Sequence, residues 1–233
     1  MVDHLVVVAN GAFSRPAPLT ALARNADLLV AADGGANWLH EQGLMPNALI
    51  GDLDSVRPAV LADLTSRGCI IQRHPTAKDE TDTELALLYA TEQAPTRITL
   101  IGALGGRVDH ELANILLLAL PELSAIPTAI YDGLSWVRLL VADDTGARAV
   151  IQGTAGDIVS LLPLGGDCQG VSTEQMAYPL ENETLRFGPA RGVSNSMLAT
   201  TAQVTVRSGR LLIVHTPAEP PFAAAHPAEP EET

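Results

Sequence analysis

The chain has 233 residues, 47% of them apolar and only 18% charged, which is enough apolar side chain for one large domain or two small ones. A net charge of −13 argues against a nucleic-acid surface, although an anionic nucleotide can still bind where metal ions intervene. No apolar run is long enough to span a membrane, the start Met1-Val2-Asp3-His4 has no basic secretory region, and Cys69 and Cys168 lie far apart without metal-ligand spacing. The expectation is therefore a cytoplasmic protein with reduced thiols.

In the first half, short apolar runs alternate with helix-like segments. Residues 5–9 predict a buried strand ending at Asn10-Gly11, and residues 19–24 a short helix. A second strand over 28–32 runs into Asp33-Gly34-Gly35 and a helix over 36–41. A third strand over 48–50 ends at Gly51-Asp52-Leu53-Asp54-Ser55. The helix expected over 58–67 starts with proline, which is tolerated in a first turn. A fourth strand falls at 70–73, before a helix over 81–92 with Leu85, Leu88 and Tyr89 on one side. A fifth strand at 97–101, a helix over 108–120 stopped by Pro121, and a sixth strand at 128–131 complete the pattern. Near-continuous apolar strands separated by helices predict an α/β fold with a mostly parallel sheet covered on both faces.

The rhythm changes after about residue 132. Segments 136–141, 147–151, 158–162, 184–187, 202–206 and 211–215 are short and β-like. Turn signals such as Asp143-Asp144-Thr145-Gly146, Gly165-Gly166-Asp167 and Ser208-Gly209 separate several of them, as in an antiparallel sandwich. This places an α/β domain at 1–125, an all-β sandwich at 126–216 and a tail at 217–233. The tail contains Pro-Ala-Glu-Pro twice and is expected to be disordered.

Ligands of an open parallel sheet bind at the carboxyl ends of its strands, where the acidic loops of this chain converge. A continued strand would point Asp52 and Asp54 to one side, and their repulsion calls for a cation. A hard divalent ion such as Mg²⁺, with phosphate as a further ligand, fits that pair. The plainer account is a polar loop with a helix cap. Likewise Thr81 can cap its helix with Glu84 closing a capping box, and Asp79, Glu80 and Asp82 suit the helix dipole. That account leaves Lys78, the only lysine, unexplained, because a cation is mildly unfavourable at a helix start. Asp33-Gly34-Gly35 is either a tight turn or a place where backbone N–H groups approach a phosphate or an adenine. Arg107 beside Gly105-Gly106 suits a polyphosphate, while Asp109 could cap its helix. His110 lies near these loops and is expected to orient a neighbour; His4, His40, His74 and His215 have no ligand spacing.

Four motifs carry a resemblance: Ala32-Asp33-Gly34-Gly35-Ala36-Asn37, Ile50-Gly51-Asp52-Leu53-Asp54-Ser55, Lys78-Asp79-Glu80-Thr81-Asp82 and Gly105-Gly106-Arg107-Val108-Asp109-His110. In order and spacing they resemble those of thiamine pyrophosphokinases over about residues 5–215. The resemblance implies an N-terminal α/β domain that binds nucleotide and metal, a C-terminal sandwich that binds thiamine, and a homodimer with active sites between subunits. It implies transfer of the pyrophosphoryl group of ATP to thiamine, giving thiamine diphosphate and AMP. Asp52, Asp54 and Asp82 would be the Mg²⁺ ligands, and Asp33, Gly34, Lys78, Thr81, Arg107 and Asp109 would surround ATP. The acceptor of the hydroxyl proton is open between Asp54 and Asp109. Tyr178-Pro179-Leu180 resembles the segment whose aromatic ring stacks on thiamine, and Gly192-Val193-Ser194-Asn195 the one whose Ser194 and Asn195 contact the pyrimidine. The alternative for Tyr178 is a core or edge position in the sandwich. Where the family usually has Gly-Leu-Lys before the aromatic, this chain has Gln175-Met176-Ala177. The rival functions are a related pyrophosphokinase for another small alcohol of the pterin type, and a non-catalytic nucleotide- or thiamine-binding protein.

Overall fold

The computed structural model describes residues 2–218. The expected tail lies, from residue 219 onward, outside the described residues. Six strands, β1 (His4–Val8), β2 (Leu28–Ala32), β3 (Ala48–Gly51), β4 (Ile70–Arg73), β5 (Arg97–Ile101) and β6 (Thr128–Tyr131), alternate with five helices. These are α1 (Pro16–Arg24), α2 (Gly35–Glu41), α3 (Pro58–Ser66), α4 (Asp82–Glu92) and α5 (Val108–Leu117). Every neighbouring pair among the six strands is parallel.

The continuous apolar runs have a direct physical cause. Side chains alternate across a strand, so β1 sends Leu5 and Val7 to one face and Val6 and Val8 to the other, and all four are fully buried. Leu5 and Val7 pack with Ala86, Leu87 and Ala90 of α4, whereas Val6 and Val8 pack with Leu19 of α1, Leu39 of α2 and Leu64 of α3. Each such side chain removed from water contributes roughly 1.5–3 kcal/mol. Strand β4 is the exposed edge and its Gln72 and Arg73 face water, as an edge requires.

The second half adds β7 (Trp136–Ala142), β8 (Ala147–Gln152), β9 (Ile158–Pro163), β10 (Cys168–Glu174), β11 (Glu183–Leu185), β12 (Asn195–Ser196), β13 (Thr201–Val206) and β14 (Gly209–Thr216). Four of them extend the parallel sheet, giving the order β12-β9-β14-β7-β6-β5-β1-β2-β3-β4, while β11-β10-β13-β8 form a separate sheet. The link is a tight reversal: Asp132 accepts hydrogen bonds from the backbone of Leu134 and Ser135, so β7 returns antiparallel to β6. The sandwich is therefore the far end of the ten-stranded sheet faced by the four-stranded one. Val159, Leu161, Leu211 and Ile213 of the first pack with Ile151, Val171, Leu185 and Val204 of the second.

Four local differences from the sequence expectation have identifiable causes. Helix α1 begins at Pro16, which supplies its first turn. Helix α5 stops at Leu117, and Pro121 opens a short 3₁₀ turn instead of ending the helix directly. Strand β10 was invisible because Gly170, at φ 65°, breaks the pairing register between Cys168 and Val171 and interrupts the alternation. Strand β12 has only two residues, too few for any period. Among the described residues no helix is long and apolar enough to cross a membrane.

Candidate active site

The loops after β1, β2, β3 and β5 and the start of α4 meet along the carboxyl edge of the sheet around a cleft of about 450 Å³. Asn10, Asp33, Asp52, Asp54, Thr81, Asp82, Arg107 and Asn114 are among its walls. Asp33 follows β2 in a left-handed conformation (φ 43°), and its backbone N–H donates to Ile50 of the neighbouring strand. Its carboxylate is buried and accepts from the Ser55 backbone at 3.3 Å. Burial pushes its pKa up and Asp82 adds to this, against the hydrogen bonds from Ser55 and Gly34. Gly34 is tight: a Cβ there would lie 2.3 Å from the Asn10 side chain.

Gly51 closes β3 at φ 143°, and a Cβ on it would meet the Asp82 carboxylate at 2.9 Å. A side chain here would push the Asp82 carboxylate out of its place. The next turn does not continue the strand. Leu53 takes φ 67° and buries its side chain against the α2–α3 layer. Asp54 is left exposed while Asp52 stays half-buried, although both line the cleft. The Asp52 backbone donates to Asp82 at 3.3 Å, and its carboxylate accepts from the Asp54 backbone at 3.1 Å.

The structure gathers a different trio. Carboxylate oxygens of Asp33, Asp52 and Asp82 lie within 4.8 Å of one another, and Asp54 sits on the rim. Lys78 Nζ reaches Asp82 Oδ1 at 2.9 Å and Asp52 Oδ2 at 3.8 Å. Burial opposes its charge, but Asp82, Asp52 and Asp33 outweigh that and raise its pKa. Three carboxylates against one ammonium leave net negative charge, and three hard oxygen donors at this spacing suit Mg²⁺. Thr81 caps α4 by accepting from the Glu84 backbone at 3.1 Å, so the capping account of this residue holds alongside any other role.

Arg107 and Asp109 form a two-pronged pair at 2.6 and 3.1 Å, exposed to solvent, and Asp109 is absent from the cleft walls. The Arg107 guanidinium holds the Asp109 carboxyl below its usual range. Glu111 accepts from the Gly106 backbone at 2.7 Å, and buried Asn114 donates to the Ala103 carbonyl at 2.8 Å. These two shape the loop after β5 and escaped the sequence reading. The one available signal was polar residues three apart on a helix side that faces the sheet. Asn37, inside the first motif, donates to Ser55 O at 2.8 Å and accepts from the Arg57 backbone at 3.0 Å, pinning the aspartate loop to α2.

In the sandwich, Tyr178 is 68% exposed, so it is no core residue. Asn195 is buried and its amide is spent on Tyr178, accepting from its N–H at 3.0 Å and donating to its carbonyl at 2.6 Å. Ser194, at φ 61°, donates its backbone N–H to Ser160. Asn195 thus clips the Tyr178 backbone, while the Tyr178 ring is left free. None of the three lines the acidic cleft within one chain. A larger cavity of about 900 Å³ lies by the opposite ends of β5 and β6 and contains none of the expected site residues.

Comparison with known proteins points to one family. Residues 19–129 match the family model described as thiamin pyrophosphokinase, catalytic domain, and residues 149–211 the one described as thiamin pyrophosphokinase, vitamin B1 binding domain. The chain is 25% identical over 208 residues to the thiamine pyrophosphokinase of Bacillus subtilis, covering 89% of this chain and 96% of that one. It is 29% identical over 231 residues to thiamine pyrophosphokinase 3 of Oryza sativa subsp. japonica, covering 90% and 85%. In fold it resembles the crystal structure of the B. subtilis protein (TM-score 0.81, 24% identity, covering 93% of this chain and 100% of that one). It likewise resembles the thiamin pyrophosphokinase of Candida albicans (TM-score 0.80, 17% identity, covering 92% and 89%).

Proposed function

This chain belongs to the thiamine pyrophosphokinase family, and we propose on that footing that it transfers the pyrophosphoryl group of ATP to the hydroxyl of thiamine. The observation that carries the proposal is the meeting of Asp33, Asp52, Asp82 and Lys78 at the carboxyl edge of the sheet. The thiamine oxygen attacks the β-phosphorus, the bond from that phosphorus to the α-phosphate oxygen breaks, and AMP leaves. Such a transfer asks little covalent chemistry of the protein; it asks for position and for neutralisation of charge.

Asp52 and Asp82 are the proposed core of the Mg²⁺ site, with Asp33 completing it inside the cleft and Asp54 at its rim. When bound, Mg²⁺ supplies neutralisation of the phosphate oxygens and polarises the phosphorus under attack. Lys78 offers a positive charge to the phosphates, and Arg107 a planar fork suited to bidentate contact once it exchanges Asp109 for a polyphosphate. Thr81 and the N-termini of α4 and α5 present backbone N–H groups to the same anion, while the Gly34 N–H is taken by the Asp33 carboxylate. Asp54 lines the cleft and Asp109 does not, so Asp54 is the better candidate for the thiamine hydroxyl proton.

We assign nucleotide and metal to residues 1–125, and thiamine and subunit contact to 126–216, with α5 of the first domain as the facing half of that contact, in a cytoplasmic homodimer. Two surfaces support the dimer. Val108, Leu112 and Leu116 recur every fourth residue along α5 beside the cleft and are 70%, 58% and 55% exposed. Tyr178, Val193 and Leu198 are exposed on the sandwich. Seating the second patch of one copy on the first patch of another brings a Tyr178 ring to each cleft. Leu112→Arg is accordingly expected to yield monomers in sedimentation equilibrium and to lose turnover together with the dimer. A fully active dimer would refute this placement. Tyr178→Ala should leave the circular dichroism unchanged, because the ring is exposed. It should raise KM for thiamine about tenfold, the worth of one stacked ring on a cation, with ATP binding spared. An unfolded variant would restore a structural role for the ring.

The test of the function is an acceptor screen. Purified chain with ATP and Mg²⁺ is incubated with thiamine or with pterin alcohols, and AMP is followed by chromatography. AMP formed in step with thiamine diphosphate is expected. AMP with a pterin alcohol alone would move the substrate, and no AMP with any acceptor would leave only a binding protein.

A further inference from the structure

Lys78 holds a place that two demands share. Its ammonium lies against Asp82 at 2.9 Å and Asp52 at 3.8 Å, and these are two of the three carboxylates whose oxygens converge within 4.8 Å. The Lys78 and Asp52 side chains are only 11% and 10% exposed, so water screens the contact little. The helix dipole disfavours a cation there, because Lys78 precedes the positive end of α4, and the carboxylates, Asp82 of its first turn included, offset that. The carboxylates hold it in place. The same ammonium neutralises part of the charge that a divalent cation would use.

We propose that Lys78 is a built-in counter-ion that competes with the divalent cation for Asp52 and Asp82, making metal binding depend on the nucleotide. Metal alone has to displace an ammonium from the carboxylates. A polyphosphate arriving with the metal gives that ammonium another anion, so both carboxylates are freed in the step that brings the cation. Coupling of this kind is reciprocal, and the nucleotide alone is weakened to the same extent as the metal alone. The inference rests on the proposed function for the identity of the polyphosphate, while the competition itself rests only on charge and distance.

The experiment titrates Mn²⁺ alone into the full chain, without nucleotide, and reads free Mn²⁺ by electron paramagnetic resonance. Lys78→Met should bind Mn²⁺ at least about tenfold more tightly than the unchanged protein, since a unit charge within 4 Å is removed. Lys78→Arg, which keeps the charge, should bind it as the unchanged protein does. Lys78→Gln serves as a second neutral variant, and circular dichroism checks each fold. Unchanged or weaker Mn²⁺ binding in both neutral variants overturns the proposal, as does equal tightening in Lys78→Arg. Thiamine diphosphate formation is measured on the same preparations. Formation without tightening removes this inference and leaves the function standing. Tightening in the neutral variants together with an unchanged protein that forms no product leaves the counter-ion standing and removes the function.

Discussion

Asp52→Asn is expected to cut thiamine diphosphate formation by about 10³-fold or more, with an unchanged far-ultraviolet spectrum. The substitution keeps size and one oxygen but removes the charge at the centre of the trio. Asp52 lies between the other partners: its backbone N–H donates to Asp82, its carboxylate accepts from Asp54, and Lys78 stands 3.8 Å away. Loss of a metal ligand of this kind removes several kcal/mol of charge stabilisation from the transition state, and about 4 kcal/mol corresponds to 10³-fold. Companion variants rank the third carboxylate. If the converging trio governs, Asp33→Asn falls further than Asp54→Asn; if the motif spacing governs, the order reverses. Near-normal turnover in Asp52→Asn, measured as AMP release at saturating Mg²⁺, would mean the metal is elsewhere.

The second large effect lies far from the chemistry. Asp157→Ala should lower stability by about 3–5 kcal/mol, because each buried donor left without its acceptor costs about 1–3 kcal/mol. For a chain of this length that is a fall in Tm of roughly 10 °C. Asp157 is 2% exposed and takes four hydrogen bonds, from His215 Nε2 at 2.8 Å, the Thr154 backbone and hydroxyl at 3.0 and 2.8 Å, and the Ala218 backbone at 2.9 Å. Truncation leaves all four donors without their acceptor. Burial alone would raise the Asp157 pKa, but the bonds from Ala218, His215 and Thr154 outweigh it and bring it down to about 2. A carboxylate whose pKa is depressed on folding stabilises the protein above its unfolded value of 3.8, and the gain is lost as pH falls toward 2. Thermal melts from pH 6 to 2 should therefore converge for the two proteins at the acid end. Parallel curves over that range, or a Tm within 2 °C at pH 6, would show that the pair contributes little. Asp157→Asn, which retains one acceptor oxygen, should fall between them.

Much of the site was legible before any coordinates. The motifs around Asp33, Asp52, Lys78 and Arg107 each follow an apolar run, and the parallel-sheet rule sends all such loops to one edge. The strand–helix alternation of the first half was equally plain, because strands buried on both faces must be apolar throughout. The second half was harder to read. Strand β10, with Gly170 and small polar residues, has no period to detect. The sandwich shares a sheet with the α/β half through the β6–β7 reversal, a pairing between segments that look self-contained in sequence.

The sequence by itself determined the chemistry available: which carboxylates, which single lysine, which loops, and that they gather at the carboxyl edge of a parallel sheet. Local periodicity and strand direction suffice for that. Only the tertiary structure decided which groups meet. Leu53 buries its side chain against the α2–α3 layer at positive φ, and this turns Asp54 out to the rim while Asp33, from a neighbouring strand, completes the trio. Asn195 is drawn inward to hold the Tyr178 backbone. Both outcomes follow from long-range packing and hydrogen bonding, which no spacing along the chain encodes.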